Sequence, residues 1–333
     1  MSASPPLGSR FLLWVGVAVL VAAWAAVPFV AGRSIVGILV FTALYTIAGL
    51  GVAFLLGQCG IVSLAQSVFF GIGAYSTAYG VTALGLPASV SMVMGVAISG
   101  SIAAAVGIPV LRLSGYFLAL ATLALAIIGH VLFLEWEWLT GGTLGIGGIA
   151  PISLFGYSLN TPFRFYYFVW PIVIIVIWLH YNLLRSRTGI AIRAMRDAPS
   201  AAAVIGVNIA RLKVKVFVLS AVLGSFAGSL FAHYVSFVSV DSFGVDRAIN
   251  FLLIAVLGGI RSIAGTVLGA LFVTAAPHLL SQFGDVHPLL FAALLIVAVI
   301  FLPGGFGDAV AQVWKKLTGE SRFAESFGGV RRP

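Results

Sequence analysis

Two sets of side chains in this chain are of types and spacings that can do chemistry. The first is polar and sparse: Ser63, Gln66, Ser67, Tyr75 and Thr122 stand in otherwise apolar runs. Such groups can line a polar path through an apolar bundle, although hydroxyls also bond back to helix carbonyls or across to neighbouring helices. The second set is basic and dense. Residues 185 to 215 read RSRTGIAIRAMRDAPSAAAVIGVNIARLKVK and hold Arg185, Arg187, Arg193, Arg196, Arg211, Lys213 and Lys215, seven of the 18 Lys and Arg residues. Between the basic groups lies PSAAAVIG. Asp197 suits a helix cap, Pro199 the first turn, and Gly206 the residue just past the end. The expected helix is about 10 Å long. Its alanine surface is too small to anchor in lipid and suits a groove on another protein, with the arginines orienting it. Basic flanks alone would equally suit anionic headgroups.

Other chemistries lack their residues. No GxxxxGK[ST] phosphate loop, HExxH or GxSxG motif occurs, so no catalytic residue and no nucleotide-binding loop of that kind is assigned. A single cysteine, Cys59, excludes an internal disulfide and a multi-thiolate metal site. The histidines at 130, 180, 233, 278 and 287 are isolated and read as packing or interfacial residues. All nine acidic residues fall at or beyond the ends of apolar segments, which weighs against a proton- or sodium-coupled carrier.

The elements that must position these residues are membrane spans. Of 333 residues 61% are hydrophobic and 8% charged, with a mean hydropathy of +1.15. The apolar residues come in runs of about 20, the length that crosses a bilayer core as a helix. Ten runs cover approximately 11–31, 35–56, 61–83, 88–110, 115–135, 165–184, 215–236, 248–260, 263–283 and 287–303. The expected fold is all-α and polytopic, with about 8–10 transmembrane helices. The third run is rich in Gly and polar residues and the eighth is short, so either can be bent or re-entrant. The first is longer than a signal-peptide core and reads as a retained span. With the N-terminus inside, the inner side carries fifteen basic residues and the outer side Arg33, Arg164 and Arg247. The positive-inside rule thereby accounts for the net charge of +9 without nucleic acid. The chain divides into a cytoplasmic N-terminus at 1–10, one membrane domain at 11–317 containing the cytoplasmic loop 185–215, and a cytoplasmic tail at 318–333. Two outer connections, 136–164 and 233–247, need no strands. Ser220, Gly224, Gly228 and Ala232 form a small-residue face, as do Gly265 and Gly269. These faces suit close packing within the chain or against another subunit.

Several stretches bring a family into view. RAMRDAPSAAAVIGVNIARLKVKVFVLSA resembles the cytoplasmic loop of the LivM-type permease of branched-chain amino acid ABC transporters, with Arg193, Arg196, Ala201, Ala202, Gly206, Asn208 and Lys213 matching. Asp197 alone remains of the acidic residues usual before the alanines. VSLAQSVFFGIGAY at 62–75, GYFLALATLALA at 115–126 and TGGTLGIGGI at 140–149 are similar to other family signatures. So are HYVSFVSVDSF at 233–243 and VLGGIRSIAGTVLGA at 256–270. Ala65, Gln66, Leu144, Arg261 and Thr266 depart from them.

The resemblance implies an ABC importer permease fold in a bacterial inner membrane, with both termini cytoplasmic. It implies half of a translocation pore, paired with a second homologous permease subunit. Two cytoplasmic ATPase subunits lie beneath and a periplasmic substrate-binding protein above. ATP and magnesium would be used by the ATPase subunits, and no cofactor by this chain. Coupling would fall to Arg193, Arg196, Asp197, Ala201, Ala202, Gly206 and Asn208. Branched-chain amino acids are the implied substrates; urea, short amides and other amino acids remain open. From the residues alone, an ion-coupled secondary transporter also remains open.

Overall fold

The computed structural model describes residues 24, 26–154, 156–260, 262–302 and 304–309. The N-terminal segment 1–10, most of the span expected at 11–31, Arg261 and the tail 318–333 lie outside these residues. In a bilayer each backbone polar group must be paired within the protein, and helices satisfy that locally. All nine other apolar runs contain a helix. With three further helices in the connections, the α-helices from Arg33 on are α1 (Arg33–Cys59), α2 (Gln66–Thr82), α3 (Ala88–Val110), α4 (Gly115–Glu135), the short α5 (Glu137–Thr140), α6 (Pro162–Arg185), α7 (Arg187–Asp197), α8 (Pro199–Val204), α9 (Ile209–Val235), α10 (Val245–Gly258), α11 (Ile263–Leu280) and α12 (His287–Phe301). Among the described residues six helical stretches are long and apolar enough to span: α1, α3, α4, α6, α9, and 263–301. The last joins α11 and α12 through a 3-10 turn broken at Gly284. At 17 and 14 residues, α2 and α10 are shorter, about 26 and 21 Å of helix against a hydrocarbon core of about 30 Å.

Helices α1 and α9 form the centre. Of the most apolar 18 residues, 83% are buried in α1 and 61% in α9, against 17% in α6. Helices α2 and α3 pack on α9, while α6, α10 and α11 pack on α1. The approach is close where glycine stands. A Cβ on Gly228 of α9 would lie 1.9 Å from the Phe70 carbonyl oxygen, and one on Gly73 of α2 would lie 1.9 Å from that of Ser225. The small faces of α9 and α11 are therefore consumed by packing within the chain: Gly224 meets Gln66, and Gly265 meets Gly258. Tyr45, Phe70, Phe231 and Phe251 of α1, α2, α9 and α10 interlock with Phe243 of the 3-10 turn before α10 as tilted and edge-on rings.

The two long connections are not free of strands. Ile146–Gly147 pairs antiparallel with Phe237–Val238, and Ser153–Leu154 with Tyr157–Ser158. The first pairing ties together loops about 90 residues apart in sequence. It is reinforced by His233 Nδ1, 2.8 Å from the Ala150 carbonyl oxygen. Gly145 makes the approach possible: its φ is +69°, and a Cβ there would lie 2.3 Å from the Val238 carbonyl.

Candidate coupling and translocation site

The basic loop folds as two helices on the end of the bundle where α1 stops. Ser186 caps α7, its hydroxyl accepting from Gly189 N–H at 3.3 Å. Ile192 and Met195 are buried beside Phe54, Leu55, Cys59 and Ile61, which seats α7 on the terminus of α1. Arg196 completes the seat by donating to the Gly57 carbonyl oxygen. Gly57 is one of the last four residues of α1, whose carbonyls have no partner inside the helix.

Helix α8 follows almost without a break. Pro199 is its first residue, as expected, but Asp197 does not cap it. The α7 ladder runs on through Ala198 N–H to Ala194 O, so Ala198 stands in the cap position and Asp197 is the exposed last residue of α7. At the other end, Val207 N–H bonds Ala202 O and Gly206 N–H bonds Ala203 O, both at 3.0 Å, with Gly206 at φ +88°. That is a Schellman stop. Two residues on, Asn208 Oδ1 accepts from Arg211 N–H at 3.0 Å and starts α9. Gly206 and Asn208 thus close one helix and open the next. The outcome is a short helix with Ala202 seated inward and an exposed apolar tip, Val204 at 87% and Ile205 at 76% exposure. Ala201 and Arg193 are also exposed, while Arg196 is half-buried. Coupling residues read as one set from sequence separate into a presented surface and an internal tether.

The polar set gathers where α1 gives way to α2. Gly60 turns the chain in the left-handed region (φ +68°), and residues 61–65 return into the bundle without helix. Gln66, where α2 begins, bonds Ala48 and Ser220 carbonyls at 3.0 and 3.1 Å and accepts from the Ser220 hydroxyl at 3.0 Å. Ala48 is eleven residues from the end of α1 and Ser220 eleven from the start of α9, so α2 starts about 16 Å inside the bundle. Unwound backbone at that depth needs partners from the protein. Leu64 N–H has Thr122 Oγ1 at 3.1 Å, and Ala65 N–H has Ser63 Oγ at 3.4 Å. Ser63, Gln66 and Thr122 therefore hold one stretch, and the adjacent Ser67 hydroxyl is buried without a hydrogen-bond partner. Tyr75 lies apart, between the rings of Phe133 and Phe243. None of the five lines any of the main cavities among the described residues.

The tether and the unwound stretch meet at the end of α1, against the α10–α11 turn. A Cβ on Gly57 would lie 1.8 Å from the Ile260 carbonyl oxygen, and one on Gly258 would lie 2.6 Å from that of Gly265. Arg196, the end of α1 and the α10–α11 turn are thus in series. Reasoning on the sequence missed this, because no pattern pairs Arg196 with Gly57.

Comparison with known proteins agrees with this architecture. Residues 34–302 match the profile of the family described as branched-chain amino acid transport system / permease component. The chain is 32% identical to the high-affinity branched-chain amino acid transport system permease protein LivM of Escherichia coli (strain K12), over 88% of this chain and 74% of that one. It is 29% identical to LivM of Salmonella typhimurium, over 93% of this chain and 78% of that one. It is also 30% identical to the Salmonella typhimurium permease LivH, over 36% of this chain and 39% of that one. No solved structure matches. A profile match across all but the ends of this multi-helix membrane chain places it in the family of branched-chain amino acid transport permease components.

Proposed function

We propose that the chain is one permease subunit of an ATP-driven, binding-protein-dependent importer of branched-chain amino acids. It is paired with a second homologous permease, with two ATPase subunits on the basic face and a substrate-binding protein opposite. Both termini lie on the cytoplasmic side of a bacterial inner membrane. The observation that carries the reading is the exposed tip of α8 on a platform locked to the end of α1. A helix of six residues that presents Val204 and Ile205 to solvent gains nothing within the chain. Buried in a cleft of another protein, the same tip transmits force through Arg196 and Gly57 to the unwound stretch and to the α10–α11 turn. ATP and magnesium act on the ATPase subunits, and this chain supplies the path. Motion at 60–65 frees the groups of Ser63, Gln66 and Thr122, which hold that stretch, and opens the adjacent Ser67; Tyr75 joins the path only by leaving the rings of Phe133 and Phe243. The relatives named LivM and LivH supply the substrate class and the pairing of two permeases.

The test is co-purification with the neighbouring permease and ATPase subunits, followed by uptake into vesicles with the binding protein. Val204→Asp with Ile205→Asp leaves the fold intact, because both side chains are exposed, and releases the ATPase. Uptake by the chain alone, sensitive to an uncoupler and indifferent to the ATPase, would overturn the reading.

A further inference from the structure

Counting charges places Arg247 in an outer connection. In the structure it stands in the first turn of α10 and turns inward. Its Nε donates to the Ser242 carbonyl at 3.1 Å, its Nη1 donates to the Tyr45 hydroxyl, and its guanidinium carbon lies 5.0 Å from the centre of the Tyr45 ring. Tyr45 is the thirteenth residue of α1 and is buried. It lies about 18 Å along the helix from its start. A cation at that depth has a large desolvation cost unless an anion or dipoles answer it. No Asp or Glu lines the cleft beside it.

The cleft has a volume of about 410 Å³ and runs from exposed Ser34 at the mouth to Tyr45 at the floor. That is within the size range of small-ligand sites, roughly 300–1,000 Å³. Its lining is divided by chemistry. Arg247 and Asn250 of α10, with Thr274 and His278 of α11 and Ser34 of α1, supply polar groups, while Phe41 and Val273 are apolar. The guanidinium carries five N–H donors in a planar fork, of which one on Nε and one on Nη1 are used, so the two N–H groups of Nη2 and the second of Nη1 are left for a carboxylate. Asn250 and Thr274 offer the acceptors that an ammonium group needs.

We propose that this cleft is a holding site for an aliphatic α-amino acid on the face opposite the coupling loop, with Arg247 receiving its carboxylate and Phe41 and Val273 its side chain. The site rests on the importer reading above and adds a substrate contact to it. It is distinct from the polar cluster at 63–67 and Thr122, whose groups mostly bond one another and whose members line none of the main cavities. A cation without a carboxylate in the wall explains why the site needs an anion from outside.

The test uses the assembled importer with Cys59→Ala and Ile38→Cys, since Ile38 lines the cleft without a polar role. The rate at which a membrane-impermeant maleimide labels this chain is followed by mass spectrometry. L-Leucine should slow labelling several-fold, whereas leucinol, which lacks the carboxylate, should not. Arg247→Gln should abolish protection and Arg247→Lys should keep part of it. Equal protection by leucinol, protection that survives in Arg247→Gln, or no protection by leucine would overturn the proposal. Failure of Arg247→Gln to fold leaves the leucine–leucinol comparison decisive. ATP-driven leucine uptake by the same vesicles is scored separately: intact uptake without protection removes the cleft alone, while absent uptake in the unmodified complex removes the importer reading.

Discussion

Replacing Arg196 by Met removes the tether between α7 and α1 while keeping the length of the side chain. The Gly57 carbonyl that it leaves is one of the four at the helix end without an internal partner. A hydrogen bond from a charged donor contributes roughly 1.5–3 kcal/mol, and a cation at a helix C-terminus roughly 0.3–1 kcal/mol. Arg196 is half-buried, so solvent weakens both, and about 2 kcal/mol is a fair net value. Every ~1.4 kcal/mol is a factor of ten, so the fraction of α7 undocked from α1 should rise about 30-fold. Hydrogen exchange of the assembled complex reads this directly: amides of 190–197 should exchange about 30-fold faster, with α9 unchanged. Transport per ATP hydrolysed should fall. The amount of ATPase retained should not, because the tip of α8 is untouched. Arg196→Lys should lie between. Unchanged exchange in 190–197, or lost ATPase binding with transport per ATP preserved, would refute the argument that Arg196 transmits rather than docks.

Gly206→Val tests the Schellman stop. Nothing lies within 4 Å of a Cβ there, so the cost is that of a left-handed φ, about 1–2 kcal/mol for an ordinary residue and more for a β-branched one. Membrane insertion should be normal, α8 amides should exchange faster, and uptake should fall; normal uptake would argue for a plain lipid-facing loop. Gly228→Ala tests the α2–α9 crossing. Its Cβ meets backbone at 1.9 Å, and overpacking of this kind costs about 1–3 kcal/mol. The melting temperature in detergent should drop by several degrees. Gly100→Ala, whose nearest contact is the Val222 side chain at 3.6 Å, should be neutral. Equal behaviour of the two would show that the crossing is looser than described.

The membrane class was legible because lipid imposes a length and a composition that a chain cannot disguise. The spans at 88–110 and 115–135 have the same bounds in sequence and structure. The short helix at 199–204 was legible for a local reason: Pro199 and Gly206 act through their own backbone angles. Asp197 failed as a cap because α7 runs to it, and nothing in the loop's composition says where that ladder ends. Strand pairing between 146–147 and 237–238 was invisible because two-residue strands have no periodicity.

The sequence by itself determined what depends on near neighbours and on solvent: the apolar spans, the break at Gly206, and the family. The tertiary structure decided what depends on residues far apart in the chain. Gln66 became a brace because Ala48 and Ser220 flank it. Arg196 became a tether because α7 lies over the end of α1. Arg247, read as an outer-loop charge, became a cation inside the bundle because the first turn of α10 faces Tyr45. Side-chain type sets which bonds are possible, but only the packing of helices from distant segments selects the partner.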